Sequence, residues 1–141
     1  MKVFTKKLVF HMEEGHVVKD ITRNVQAVVN EAGIKNGQIS VQAGRSVCII
    51  TTLEYEPGCL HDLEEAFQKI APAEGKYEHS KRWNDNNGHA HLRSAITGVS
   101  QTFVVMDGKL CLEPWQQIVF GDYCPNDHPE WEVYCSAVGE Q

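Results

Sequence analysis

The stretch from residue 83 to residue 93 holds the densest set of side chains that could do chemistry. It reads WNDNNGHAHLR, and His79 lies just upstream of it. Its ionisable side chains are Asp85, His89, His91 and Arg93. Neutral histidine is the commonest metal ligand, and its pKa is easily tuned around neutrality. Because such polar groups are costly to bury unless they pair with each other, a metal or an anion, this stretch is the first candidate for a functional site.

The pair His89 and His91 permits two geometries. On a strand, residues two apart point the same way and could chelate one ion, whereas on a helix they diverge by roughly 200°. Apolar spacing from Leu92 onward predicts a short helix over about 89–97, so only a bent entry would aim both rings at one site. With His79 added, the three histidines are a candidate Zn²⁺ site, since catalytic zinc usually has three protein ligands and an open position. Solvated or capping histidines are the alternative.

The same segment could instead hold an anion. The start of a helix presents free N–H groups and partial positive charge, which favour phosphate. Gly88 would open the backbone there, and Arg93 would supply a planar, bidentate donor. The alternative is that Arg93 only pairs with a surface acid, and the spacing favours neither interpretation.

Two acids are candidate bases. Asp85 could act as a general base or orient a histidine, but an Asx-turn role is the alternative in its asparagine-rich context. Glu54 closes an apolar strand, a position that often borders a site, and a solvated loop acid is its alternative. The candidate catalytic residues are therefore His79, Asp85, His91 and Glu54.

The composition narrows the class of protein. A chain of 141 residues predicts a single domain, and a formal net charge of -6 without a Lys/Arg cluster argues against nucleic-acid binding. No apolar run approaches the ~20 residues that a membrane span needs, and the N-terminus lacks an apolar signal region. The five cysteines are odd in number and have no Cys-x-x-Cys spacing, which favours free thiols in the cytoplasm.

The strand pattern predicts an α+β fold with mainly antiparallel pairing. Residues 3–10 and 16–19 are rich in β-branched, aromatic or alternating residues around Glu14 and Gly15, which predicts a hairpin. Strands are expected at about 38–43 and 47–53. The last third is expected to form a β-meander, joined by a turn at 107–108.

The helix pattern predicts two clear amphipathic helices. The first begins near Thr22 and ends at Gly33, which tolerates a left-handed conformation. The second opens at residues 56–58 and ends before Pro72. Residues 73–88 are polar, so we expect a functional loop there before the short helix at 89–97.

Several motifs together resemble the YjbQ family, described as uncharacterised or as secondary thiamine-phosphate synthases. The resemblance covers nearly the whole chain, and each motif alone would be weak. The motifs are Asn87–Ala95 (NGHAHLRSA), Gly98–Ser100 (GVS), Gly108–Leu110 (GKL) and Trp115–Gln116, preceded by the EPGCL helix start at Glu56–Leu60 and by His79.

The resemblance implies an α+β fold with a β-sandwich and two to three helices, assembled as a homotrimer. It implies a small site that gathers histidines and holds either a divalent metal (Zn²⁺ or Mg²⁺) or a phosphate-like anion, with a small phosphorylated molecule as the substrate. Thiamine phosphate synthesis joins a pyrimidine diphosphate to a thiazole phosphate and releases pyrophosphate, and the activity implied is a weak transferase of that kind. A metal-dependent hydrolase and a non-catalytic ligand-binding trimer are the alternatives.

The resemblance also bears on single residues. His79 and His91 match the positions most characteristic of the family, His89 matches most members, and Glu54 falls where the family has an Asn-Glu pair. The family's His-Thr-Thr before the second central strand aligns, without gaps, with Arg45-Ser46-Val47. One family histidine is thus replaced by Arg45, which favours an anion over a cation and makes Arg45 a second candidate phosphate ligand beside Arg93.

Overall fold

The computed structural model describes residues 1–11, 17–83, 85–125 and 130–141. The strands are β1 (Lys2–His11), β2 (Val18–Asp20), β3 (Asn36–Ala43), β4 (Cys48–Leu53), β5 (Ser100–Met106), β6 (Lys109–Leu110), β7 (Gln117–Asp122) and β8 (Glu130–Glu140). The helices are α1 (Thr22–Ala32), α2 (Pro57–Ile70), α3 (Glu78–Trp83) and α4 (Gly88–Thr97). No described helix is both long and apolar enough to cross a membrane.

Two antiparallel sheets enclose the core. The larger has the order β1-β8-β3-β5-β6 and the smaller has the order β2-β7-β4. In β8, alternate residues from Trp131 to Gly139 are buried, as expected for a strand with one face on the core. Trp131 of the larger sheet stacks on Phe120 of the smaller one with ring centroids 4.8 Å apart. The α+β fold with a mainly antiparallel β-sandwich is therefore confirmed.

Two predicted strand connections are wrong. β1 pairs with β8, whereas β2 pairs with β7 in the other sheet, so these strands form no hairpin. The predicted turn at Glu14 and Gly15 lies outside the described residues. The C-terminal meander is also interrupted, because β7 joins the smaller sheet and β8 returns to the larger one between β1 and β3. The chain alternates between the sheets because each sheet must bury one face against the shared core. The spacing of residues within a strand does not encode this choice of sheet.

The helix predictions hold more closely. α1 buries Val25, Val28, Val29 and Ala32 on one stripe and ends at Gly33, whose φ of 69° is left-handed as predicted. At the start of α2, the Glu56 carboxylate accepts the backbone N–H groups of Gly58 and Cys59. α4 spans the predicted short helix and is followed by Gly98. α3 lies within the stretch predicted as a loop, so the described residues contain four helices rather than two to three.

The cysteine thiols differ in burial. Cys48 and Cys135 are buried, Cys59 is half-buried and Cys111 is exposed. Burial raises the pKa of the Cys48 thiol to about 12 and that of Cys135 to about 11. Both buried thiols therefore stay protonated near neutral pH and behave as small apolar side chains.

Candidate functional site

Two of the predicted histidines come together where α3 meets the start of α4. The rings of His79 and His91 lie with their centroids 4.5 Å apart and their planes tilted by 57°. His79 Nε2 lies 2.9 Å from Asn87 Oδ1 and 3.5 Å from Asp85 Oδ2. We call these four residues the His79–His91 cluster.

The ring of His79 is oriented by two oxygen atoms, because its Nε2 faces both the Asn87 amide oxygen and the Asp85 carboxylate. Asn87 was not among the predicted site residues. It precedes α4 but makes no side-chain cap there, because its side chain is used by His79.

A cleft of about 660 Å³ opens beside His91. It runs between the end of β3, the loop that follows β3, and α4. Its polar lining residues are Gln42, Arg45, Ser46, His91 and Ser94. We call it the Arg45–His91 cleft. His91 thus belongs both to this cleft and to the ring pair with His79.

Arg45 is held at the cleft by two groups of the same chain. Its Nη2 donates to the backbone carbonyl oxygen of Glu130, and its Nη1 lies 3.6 Å from Oδ2 of Asp122. Asp122 is fully buried, whereas the Arg45 side chain retains 24% of its exposure. The guanidinium is therefore oriented by a buried carboxylate and still borders the cleft. Asp122 had not been singled out, since a single acid in an apolar strand carries no spacing signal.

Arg93 pairs with an acidic side chain, Glu64, as in the alternative to phosphate binding. Its Nη1 donates to both carboxylate oxygens of Glu64 at 2.9 and 2.8 Å, and its Nε donates to the Ala71 carbonyl at 3.0 Å. The guanidinium lies 5.3 Å from the Phe67 ring centroid and 5.0 Å from that of Tyr123. The side chain is only 2% exposed. Phosphate binding by Arg93 stays a prediction, and a carboxylate on the same guanidinium opposes it.

Gly88 is needed for packing at the start of α4. A Cβ on Gly88 would lie 2.6 Å from Cβ and 2.7 Å from Cγ of Tyr77, closer than real side chains approach. Tyr77 is itself fixed, because its hydroxyl donates to the Pro72 carbonyl at 2.6 Å. This close approach explains the glycine, and a contact between Gly88 and phosphate remains a prediction.

His89 has surroundings different from those of His91. Burial, and after it the charge of Arg93, lowers the pKa of His89 below its ordinary value. Its Nδ1 atom is buried without a hydrogen-bond partner among the described residues. Within the described part of the chain, no three His, Cys, Asp or Glu side chains are grouped as a metal site. His79, His89 and His91 thus do not assemble as a three-ligand centre here.

Glu54 lies apart from these features. It is exposed directly after β4, and it lines none of the clefts described here. The following residue, Tyr55, donates its backbone N–H to the side chain of Gln117 at 2.8 Å. A catalytic role for Glu54 stays a prediction.

The sequence is similar to proteins of one family. A family model described as "UPF0047 protein YjbQ-like" matches residues 6–140. A UPF0047 protein of Methanothermobacter thermautotrophicus is 34% identical over 122 residues, which cover 86% of this chain and 84% of that protein. The UPF0047 protein YugU of Bacillus subtilis is 32% identical over 105 residues, which cover 74% of this chain and 77% of YugU.

Solved structures agree with this assignment. A YbjQ-like protein of unknown function from Sulfolobus solfataricus superposes with a TM-score of 0.88 at 28% identity, covering 99% of each chain. A hypothetical protein from Aeropyrum pernix gives a TM-score of 0.85 at 29% identity, covering 97% of this chain and 99% of that one. This chain belongs to the YjbQ-like UPF0047 family.

Proposed function

We propose that the chain binds a small phosphorylated molecule in the Arg45–His91 cleft and that His79 and His91 carry out proton transfer on it. The observation that carries the proposal is that His91 both lines the cleft and packs against the ring of His79. A phosphate beside Arg45 would meet an oriented guanidinium, and an oriented imidazole would lie next to it. Such an arrangement suits general acid–base catalysis near neutral pH.

The reaction we favour is a weak transfer of the thiamine-phosphate synthase kind. Diphosphate departure requires that the developing negative charge be stabilised, and Arg45 supplies a fixed positive group for this. The described donors do not fit a Zn²⁺ ion held by three protein ligands. A Mg²⁺ ion is bound by one or two carboxylates together with substrate phosphates, and Asp85 is the carboxylate in the cluster that could contribute.

The test is a turnover assay with a pyrimidine diphosphate and a thiazole phosphate, with and without Mg²⁺. We expect thiamine phosphate from the wild-type protein and a loss of roughly 10²-fold or more in His91→Ala, the range for removing an acid–base group. His61→Ala is the matched control, because His61 is an exposed histidine of α2 whose ring approaches Glu65 and which belongs to neither the cleft nor the pair of histidine rings. Product formation equal in His91→Ala and the wild type would refute the catalytic role.

A second candidate function is phosphate binding without turnover. It is favoured by Arg45, which stands where the family resemblance has a histidine and whose guanidinium is held by Asp122. Binding without turnover would appear as a rise in Tm with phosphorylated metabolites that Arg45→Gln abolishes, because only the folded state binds. Such a rise with no product in the assay above would favour this candidate.

We infer further that the chain forms a homotrimer in the cytoplasm. The outward face of the larger sheet exposes apolar side chains on three strands, which supports burial against other copies. These are Val3, Val104, Met106 and Tyr134. Light scattering coupled to size exclusion should give three times the chain mass, and Val104→Lys should reduce it. Free thiols suit a reducing compartment.

A further inference from the structure

A second cleft lies between β2, α2 and the residue that follows β7. Its volume is about 260 Å³, and it shares no lining residue with the Arg45–His91 cleft. Val18, Leu60 and Leu63 form apolar walls, and the other lining residues include Tyr55, Tyr123 and Glu64. A concave, mainly apolar space with a few polar groups is the usual form of a small-molecule site.

Tyr123 lines this cleft with a hydroxyl that has no hydrogen-bond partner in the part of the chain that the structure describes. Of the four tyrosines, three donate their hydroxyls within the chain: Tyr55 to the Val18 carbonyl, Tyr77 to the Pro72 carbonyl and Tyr134 to Glu132. Among the described residues none bonds the Tyr123 hydroxyl, although the residue as a whole is only 9% exposed. The hydroxyl oxygen is not one of the fully buried side-chain atoms that lack a partner, so it keeps some exposure. Because Tyr123 lines the cleft, a ligand or water there can bond this hydroxyl.

The hydroxyl of Tyr123 is a donor under ordinary conditions. Burial, and after it the charge of Glu64, raises the pKa of Tyr123 well above its usual range. The group is therefore a neutral phenol that offers one O–H to a ligand acceptor. Beside it, Glu64 is 45% exposed and uses its two oxygens for Arg93, yet each carboxylate oxygen has a second lone pair for another donor.

The charges around the cleft select against ions. Glu64 is compensated by Arg93, whose guanidinium also lies 5.0 Å from the Tyr123 ring centroid. A ligand anion would be repelled by the Glu64 carboxylate, which lines the cleft. A ligand cation would compete with Arg93 for that carboxylate and weaken the buried ion pair. A neutral molecule avoids the repulsion and leaves the Glu64–Arg93 pair intact.

We propose that this cleft binds a small neutral molecule with an aromatic or aliphatic body and one hydroxyl or primary amide group. Its oxygen accepts the O–H of Tyr123, and its own O–H or N–H donates to Glu64. The apolar body packs against Leu60, Leu63 and the Tyr55 ring. This site is independent of the proposed phosphate chemistry.

The test uses four probes with similar bodies in an NMR titration of the full chain: benzyl alcohol, benzamide, benzoate and benzylamine. We expect the two neutral probes to bind with Kd values on the order of millimolar and to shift residues of this cleft. Tyr123→Phe keeps the ring and removes the O–H, so it should weaken neutral-probe binding about fivefold. Tyr55→Phe is the matched control, because its hydroxyl already donates to the Val18 carbonyl, and binding should change by less than about twofold.

Three results would overturn the proposal. The first is the absence of saturable shifts in the cleft with either neutral probe. The second is equal affinity of Tyr123→Phe and wild type in variants whose spectra show the same fold. The third is binding of benzoate or benzylamine as tight as that of the neutral probes.

Discussion

Replacing Glu64 by glutamine should destabilise the protein by more than an ordinary surface change. The substitution keeps the shape of the side chain but removes the charge that faces Arg93, which is 2% exposed. Arg93 donates to both carboxylate oxygens, at 2.9 and 2.8 Å, and glutamine keeps only one acceptor oxygen, so one hydrogen bond is lost and the other becomes charge–neutral. The positive guanidinium stays buried, with the glutamine oxygen, one backbone carbonyl and two aromatic rings as its neighbours.

The magnitude follows from how deeply each partner is buried. Breaking a buried ion pair by removing one member costs about 3–5 kcal/mol. The Glu64 side chain is 45% exposed, so water screens part of the interaction, and we expect about 2 kcal/mol. Arg93→Met also strips a hydrogen bond from the buried Ala71 carbonyl and should cost about 3 kcal/mol. The double variant should lose about 1–2 kcal/mol less stability than the sum of the two single variants, because both substitutions break the same Glu64–Arg93 interaction.

Urea unfolding followed by circular dichroism measures these differences. At a slope of about 2 kcal/mol per molar urea, Glu64→Gln should lower the midpoint by about 1 M without changing the slope. Glu65→Gln is the matched control: its carboxylate is 60% exposed on the same helix, and it should cost less than about 0.5 kcal/mol. If Glu64→Gln and Glu65→Gln had equal midpoints, the buried pair would not stabilise the fold as argued.

Three further predictions concern pH, packing and reactivity. Folding lowers the pKa of His89 below its ordinary value of 6.5. The folded state therefore favours the neutral ring, and the resulting stability is fully present above pH 6.5. It is lost as the pH falls through the lower pKa of the folded state. The Tm of His89→Gln should therefore fall less between about pH 7.5 and pH 5 than that of wild type or His61→Gln. In Gly88→Ala the new methyl group would collide with Tyr77, so the free energy of unfolding should fall by about 1–3 kcal/mol. Gly58→Ala is the control, because its methyl group meets only the flexible Glu56 carboxylate and its effect should be nearly neutral. Urea unfolding measures both changes. A thiol reagent at about pH 8 should label Cys111 first in native protein and label the two buried thiols only after unfolding. Mass spectrometry measures this order, and labelling of a buried thiol before Cys111 would contradict the prediction.

Local elements were predictable because their signals are local. The left-handed Gly33 and the Glu56–Pro57 helix start each combine a capping residue with helical spacing, and both hold in the structure. The partners of strands were not predictable in the same way. β1 and β2 are adjacent in the chain yet belong to different sheets, since pairing is decided by which faces a shared core can bury.

In the candidate site, too, the sequence predicted some features and missed those that depend on contacts between different elements. The sequence placed His79 and His91 together through a family resemblance, and the structure brings their rings to 4.5 Å. It could not show that burial and the charge of Arg93 would lower the pKa of His89, or that Asn87 would bond His79 instead of capping α4. Such contacts join residues on different elements, and short-range spacing carries no information about them.

The Arg45–Asp122 pair restricts how this position can change during evolution. Arg45 joins the end of the smaller sheet, through Asp122, to the start of β8 in the larger sheet, through the Glu130 carbonyl. Replacing Arg45 alone by histidine would take the guanidinium away from a fully buried carboxylate and also release that junction. The two positions should therefore covary among close relatives, with arginine at 45 accompanied by an acid at 122. A lineage that replaced Arg45 by histidine would pass most easily through a change at 122 first.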